Sequence, residues 1–153
     1  MWLGFVLAAL CGYVLVSLFA LMNAKSPHVS KTVYGATFIL CAIILCMSVL
    51  PRGSGTLTME LPLGVPWIGM HFRIDHLSVF FLAVINLVSA AASAYAIGYG
   101  AHEKHAIRIL PFYPLFIAAM NTVVLADDAF TFLCSWELMS VFSWALVLAY
   151  DYA

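Results

Sequence analysis

Five apolar runs decide what this chain can become. They cover approximately residues 2–22, 33–50, 76–99, 111–126 and 129–150. A helix needs about 20 residues to cross a hydrocarbon core ~30 Å thick, and each run is long enough or nearly so. The 153 residues are 65% hydrophobic and only 8% charged, against about 25% charged in a soluble domain. So few charges cannot cover a surface that faces water, and the bilayer must be the solvent. The expected fold is an all-α membrane protein, a single transmembrane domain over 1–153 with five transmembrane helices. The net charge of -1 and the lack of a clustered basic face argue against a nucleic-acid partner.

The first run carries no basic residues before it, as a secretory signal would. Lys25 and Lys31 come after it, which reads as a retained helix, with cleavage near Ala24 as the alternative. In the fourth run Pro111 and Pro114 fall in the first turn, where a missing N–H is tolerated. Asp127 and Asp128 leave almost no loop before the fifth run. They read as turn and N-cap residues, so helices four and five should form a tight antiparallel hairpin.

Basic residues set the orientation. Lys25, Lys31, Lys104 and Arg108 fall on one side, Arg52 and Arg73 on the other. By the positive-inside rule the first side is cytoplasmic, which puts the N-terminus out and the C-terminus in. On the outer side TLTMEL (Thr56 to Leu61) alternates as a strand does, PLGVPW supplies turn residues, and GMHFRID follows as a second strand. A short extracytoplasmic β-hairpin between helices two and three is expected. Arg73 with Asp75 reads as an interfacial pair at the start of helix three.

Glu137 is the one acidic residue between Ala129 and Tyr150. It lies eight residues after Ala129, roughly 12 Å into the helix and near the membrane midplane. An acid there costs on the order of 2.5–3.5 kcal/mol on insertion scales, and acids so placed mark ion or proton pathways. The competing reading is a protonated acid that only hydrogen-bonds a neighbouring helix. Cys134 and Ser140, three residues to either side, share its helix face. Asn121 on helix four and Asn86 on helix three are further intramembrane polar groups. Together they would form a polar seam holding water beside the acid, or else hydrogen-bond between helices. Ser89 with Ser93, and Ala90 with Ala94, are spaced for close helix packing.

Cys11, Cys41, Cys46 and Cys134 lie in apolar runs without a CxxC pair. They read as small lipid- or core-facing residues, not as a metal site or disulfide framework. His28, His71, His76, His102 and His105 lie at or near helix ends, unlike haem ligands facing each other across a bundle. His102 and His105 read as a solvated loop, with proton collection as the alternative. No cofactor or metal site is expected.

FRIDHLSVFFL (Phe72 to Leu82) resembles the start of the third helix in antiporter-like subunits of respiratory complex I. PLFIAAMNTVVLADDAFTFLCSWELMSVFSWAL (Pro114 to Leu146) resembles helices four and five of the same group, which includes Mrp sodium/proton antiporters and the membrane arms of energy-converting hydrogenases. WELMS (Trp136 to Ser140) looks most like the hydrogenase-4 component B and formate hydrogenlyase branch. The resemblance implies a proton- or sodium-translocating membrane-arm subunit of a hydrogenase-type or complex I-like oxidoreductase, in the inner (cytoplasmic) membrane of a bacterial or archaeal cell. It implies Glu137 as the proton relay and other membrane-arm subunits as partners, with no redox cofactor. The family's partner for this acid is a lysine on a broken seventh helix. With Ala153 following helix five, the later helices are expected from a longer chain or a partner polypeptide. The alternative is a non-transporting structural or assembly subunit of such a complex.

Overall fold

The computed structural model describes residues 2–23, 28–50, 56–62, 69–99 and 109–151. Lys25, Arg52, His102, Lys104, His105 and Arg108, together with most of PLGVPW, lie outside them. In chain order the elements are α1 (Trp2–Met22), α2 (Val29–Val49), β1 (Leu57–Leu61), β2 (Met70–Ile74), α3 (His76–Tyr99), α4 (Phe112–Leu125) and α5 (Ala129–Asp151).

Among the described residues, α1, α2, α3 and α5 are long and apolar enough to cross a membrane. Helix α4 has 14 residues, about 21 Å at the α-helical rise, and by itself falls short of the ~30 Å core. Helix α2 begins four residues before the apolar run predicts. Its first turn, Val29, Ser30, Lys31 and Thr32, breaks the apolar pattern, yet Val29 and Ser30 are buried. Val29 packs with Ala20, Val33 and Leu110, and the Thr32 N–H donates to the His28 carbonyl. Tertiary packing extends the helix where hydropathy alone would end it.

Helix α1 packs against α2 and α4, α2 against α3, and α3 against α4, so these four enclose the core. Its largest fully buried side chains include Tyr13, Ile44, Leu82, Ile117 and Leu125. Lipid tails are as apolar as leucine, so burying Leu or Ile supplies little force between helices in a bilayer; close packing and polar contacts must hold them. The Ser89–Ser93 face serves that purpose. Both serines are buried; the Tyr113 hydroxyl from α4 hydrogen-bonds Ser93 Oγ at 2.9 Å and reaches the Ser89 carbonyl. Ala90 is buried and Ala94 exposed, so that second pair does not form a packing face. At the same end of α4, Ser17 of α1 donates to the Pro111 carbonyl at 2.7 Å.

Helix α5 stands outside this group. It rests on α4, with β2 against its start, and 11% of its spanning window is buried against 28–33% for α1, α2 and α3. The short link through Ala126, Asp127 and Asp128 makes α4 and α5 the antiparallel pair the sequence predicts.

The β-hairpin forms where the alternation places it. β1 and β2 are antiparallel, pairing Leu57 with Ile74 and Glu60 with His71. A Cβ at Gly69 would lie 3.0 Å from the Leu61 carbonyl oxygen, so glycine lets the strands approach at the base of the turn. β2 is sewn to the α4–α5 turn. The Asp127 N–H donates to the His71 carbonyl at 3.0 Å, Phe72 bridges to Ala126, and the His71 N–H donates to Asp128 Oδ2 at 3.0 Å. Arg73 pairs more closely with Asp127, at 3.2 Å, than with Asp75, at 3.8 Å.

Two carboxylates cap helices at this junction. Asp75 Oδ1 accepts from the Ser78 N–H at 2.7 Å; that bond, with help from Arg73, holds its carboxyl below the usual range. Asp128 Oδ1 accepts from the Thr131 N–H at 2.8 Å. Burial pushes the Asp128 carboxyl up, but hydrogen bonds from the Thr131 hydroxyl and N–H and from the His71 N–H outweigh it and hold it down at about 2, against an ordinary 3.8. A depressed carboxylate contributes stability that is present above its unfolded value and lost as pH falls through its folded one. Asp128→Ala should therefore cost about 1 kcal/mol of stability near neutral pH. In thermal unfolding in detergent, the gap between wild type and variant should close as the pH falls from about 4 to about 2.

Candidate functional site

The face of α5 that meets α4 carries small side chains. Thr131 is 0% and Ser135 2% exposed, one turn apart, and Ser135 Oγ donates back to the Thr131 carbonyl at 2.7 Å. At about 100° per residue, Glu137 lies roughly 200° around the helix from Ser135, and it is exposed. Its face also carries Leu133, Val141 and Trp144, all exposed, and the adjacent Trp136 is exposed too. Ser140 is exposed on the same face, its hydroxyl donating to the Trp136 carbonyl at 3.0 Å. Cys134 is half-buried. The acid thus stands on the uncovered side of the peripheral helix, among large apolar side chains.

Asn86 and Asn121 sit elsewhere. Both are fully buried, and Asn86 Nδ2 donates to Asn121 Oδ1 at 2.6 Å. Asn86 Nδ2 also donates to the Leu82 carbonyl at 2.8 Å, and Asn86 Oδ1 accepts from the Tyr13 hydroxyl at 3.2 Å. The Tyr13 oxygen lies 3.1 Å from Cys41 Sγ. Tyr13 has a single proton; with that proton directed at Asn86, the Cys41 thiol supplies the hydrogen on the other side. Asn121 Nδ2 donates to the Ile117 carbonyl at 2.9 Å. One neutral network therefore stitches α1, α2, α3 and α4, and Asn86 uses both amide hydrogens and its oxygen.

Of the predicted seam, Cys134, Glu137 and Ser140 share a helix face, while Asn86 and Asn121 take the interhelical hydrogen-bond alternative. Neither asparagine hydrogen-bonds Glu137, because α5 turns its Thr131–Ser135 side to α4 and its acid away. Amide groups do not ionise at physiological pH, so the two asparagines serve the buried network as hydrogen-bonding groups.

Tyr13 and Cys41 enter the network without having been singled out from the sequence. Tyr13 had a usable signal. It lies near the middle of the 21-residue α1, whereas membrane tyrosines gather at the interfaces where the hydroxyl meets water; a mid-span tyrosine needs a buried partner. Cys41 is buried, which is the core-facing option. Among the described residues no group of three or more His, Cys, Asp or Glu side chains is placed to hold a metal ion.

The comparisons with known proteins bear on this arrangement. A family model described as the N-terminus of chain 5 of NADH-ubiquinone oxidoreductase (complex I) matches residues 62–108, from the hairpin through α3. Over these residues the chain is similar to that subunit. An uncharacterized protein of Mycobacterium tuberculosis is 41% identical over 86 residues, 56% of this chain and 13% of that protein. NADH-quinone oxidoreductase subunit L of Rickettsia typhi is 34% identical over 90 residues, 54% of this chain and 14% of that subunit. Hydrogenase-4 component B of Escherichia coli is 38% identical over 79 residues, 50% of this chain and 12% of that component. The chain spans only about an eighth of the length of the relatives it matches.

The neutral network has a direct stability test. Asn86→Ala removes the donor to Asn121 Oδ1 and leaves the Tyr13 hydroxyl with Cys41 Sγ as its remaining partner. It should lower stability by about 1–2 kcal/mol in thermal unfolding in detergent, while Glu137→Gln, on the exposed face, should leave the melting temperature unchanged.

Proposed function

We propose that this chain forms the N-terminal helices of an ion-translocating membrane-arm subunit, moving protons or sodium ions in a hydrogenase-type or complex I-like oxidoreductase, and that Glu137 is its protonatable group. The observation that carries the reading is the position of this carboxylate. It stands eight residues inside α5, on a face that no other described helix covers. An acid left against lipid would cost several kcal/mol, so the reading places a polar cover there. That cover is further helices of a longer subunit or of a partner in the membrane arm, carrying a basic group opposite Glu137. The relatives support it: two of them are named as a subunit of an NADH-quinone oxidoreductase and as a hydrogenase component. Desolvation and a basic neighbour act on a carboxyl in opposite directions, and a group balanced between them loads and releases protons. Cys134 and Ser140 flank it on the same face and would help to orient water or the incoming side chain.

In this reading α4, flanked by its prolines and by Asp127 and Asp128, completes a fifth crossing. The hairpin lies on the extracytoplasmic side, opposite Lys25, Lys31, Lys104 and Arg108, and the helices span the inner (cytoplasmic) membrane of a bacterium or archaeon. A purely structural subunit is the rival reading, favoured by the neutral, hydrogen-bonded core of α1 to α4. One pair of measurements on the assembled complex separates them. Glu137→Gln should abolish coupled ion movement across the membrane while leaving assembly intact; unchanged ion movement would support the structural role.

A further inference from the structure

His71 occupies an unusual position for an imidazole. It stands on β2 directly across from Glu60 of β1, its Nε2 3.5 Å from Glu60 Oε1 and its Nδ1 3.4 Å from Asp128 Oδ2 at the start of α5. Nδ1 is buried and makes no hydrogen bond. A neutral imidazole carries one N–H and one lone pair, so in that state one nitrogen presents its lone pair to a carboxylate. The protonated ring carries a positive charge within 3.5 Å of both acids.

The remaining charged groups around it are accounted for. Arg73, on the same strand, is held by Asp127 and Asp75, so its charge is shared between two other carboxylates. Asp128 also takes hydrogen bonds from the His71 N–H and the Thr131 hydroxyl, and its low value of about 2 keeps it ionised wherever histidine changes charge. The backbone of His71 is itself the tie between hairpin and helices, through the Asp128 carboxylate, Thr131 Oγ1 and the Asp127 N–H.

We propose that His71 is a proton-operated latch: the protonated imidazole, set between Glu60 and Asp128, clamps the β-hairpin onto the α4–α5 turn, and its deprotonation loosens that clamp. The device lies outside the spans and does not rest on the role of Glu137. Its consequence is mechanical. The turn it grips is the N-terminal anchor of α5, so proton concentration at this surface sets how firmly the hairpin holds that helix.

The readout is the exchange protection of the His71 and Asp127 backbone amides, measured residue by residue by NMR in the full chain in lipid nanodiscs and corrected for the intrinsic pH dependence of exchange. Between about pH 8 and about pH 5, the range in which histidine changes charge, protection should rise about three- to tenfold on acidification. His71→Gln should remove the rise. Glu60→Gln removes one of the two charges facing the ring and leaves the Asp128 cap and its bond from the His71 N–H untouched; it should weaken the rise, which settles the matter if His71→Gln undocks the hairpin. Equal protection at both pH values in the wild type, or a rise that is undiminished in Glu60→Gln, overturns the latch.

Discussion

Hydrocarbon offers polar groups no water, and this constraint shapes the molecule. Every buried donor and acceptor must find a partner within the protein or be carried to an edge. The bundle of α1 to α4 meets the demand with neutral groups alone: Tyr13, Cys41, Asn86 and Asn121 are linked across four helices, and Ser93 with Tyr113 closes the next layer. These contacts also supply directional attraction that apolar surfaces cannot provide in lipid. Ionised groups are excluded from that core. Among the described residues the ion pairs gather at the hairpin and the α4–α5 turn, where Arg73 meets Asp127 and His71 lies between Glu60 and Asp128.

Glu137 is the departure from this rule. It lies within a spanning helix, yet α5 turns it away from the satisfied core. The turn that fixes α5 also fixes this orientation. Asp128 caps the helix through Thr131, Thr131 and Ser135 pack it on α4, and the acid follows on the opposite side. The hairpin, the cap and the exposed carboxylate are therefore one mechanical unit, with β2 holding the turn and the turn setting the helix face. The open face carries Trp136 and Trp144 beside the acid.

The sequence made the element list largely legible and the rotations poorly so. The bounds of α1 and α3 follow from apolar runs, α5 runs one residue past its run, and both strands from alternation between turn residues. Helix α2 starts earlier than hydropathy indicates because Val29 packs with Ala20 and Leu110, and such contacts leave no trace in a hydropathy profile. Which way each helix faces was harder to read for a physical reason. A helix in lipid is apolar on its inner and outer sides alike, so the stripe that orients a soluble helix is missing. Hence Asn86 and Asn121 were readable as polar and intramembrane, but whether they met each other or Glu137 was not. The link from Arg73 to Asp127, across more than fifty residues of chain, had no local signature, and the nearer Asp75 was the natural sequence partner.

The central claim is that the Glu137 face of α5 is covered by protein in the working assembly. A photoreactive benzophenone side chain placed at Trp144, one side of that face, tests it in native membranes. The account predicts that illumination joins α5 covalently to polypeptide, either a later helix of the same subunit or a neighbouring one. Adducts formed with lipid alone would contradict it.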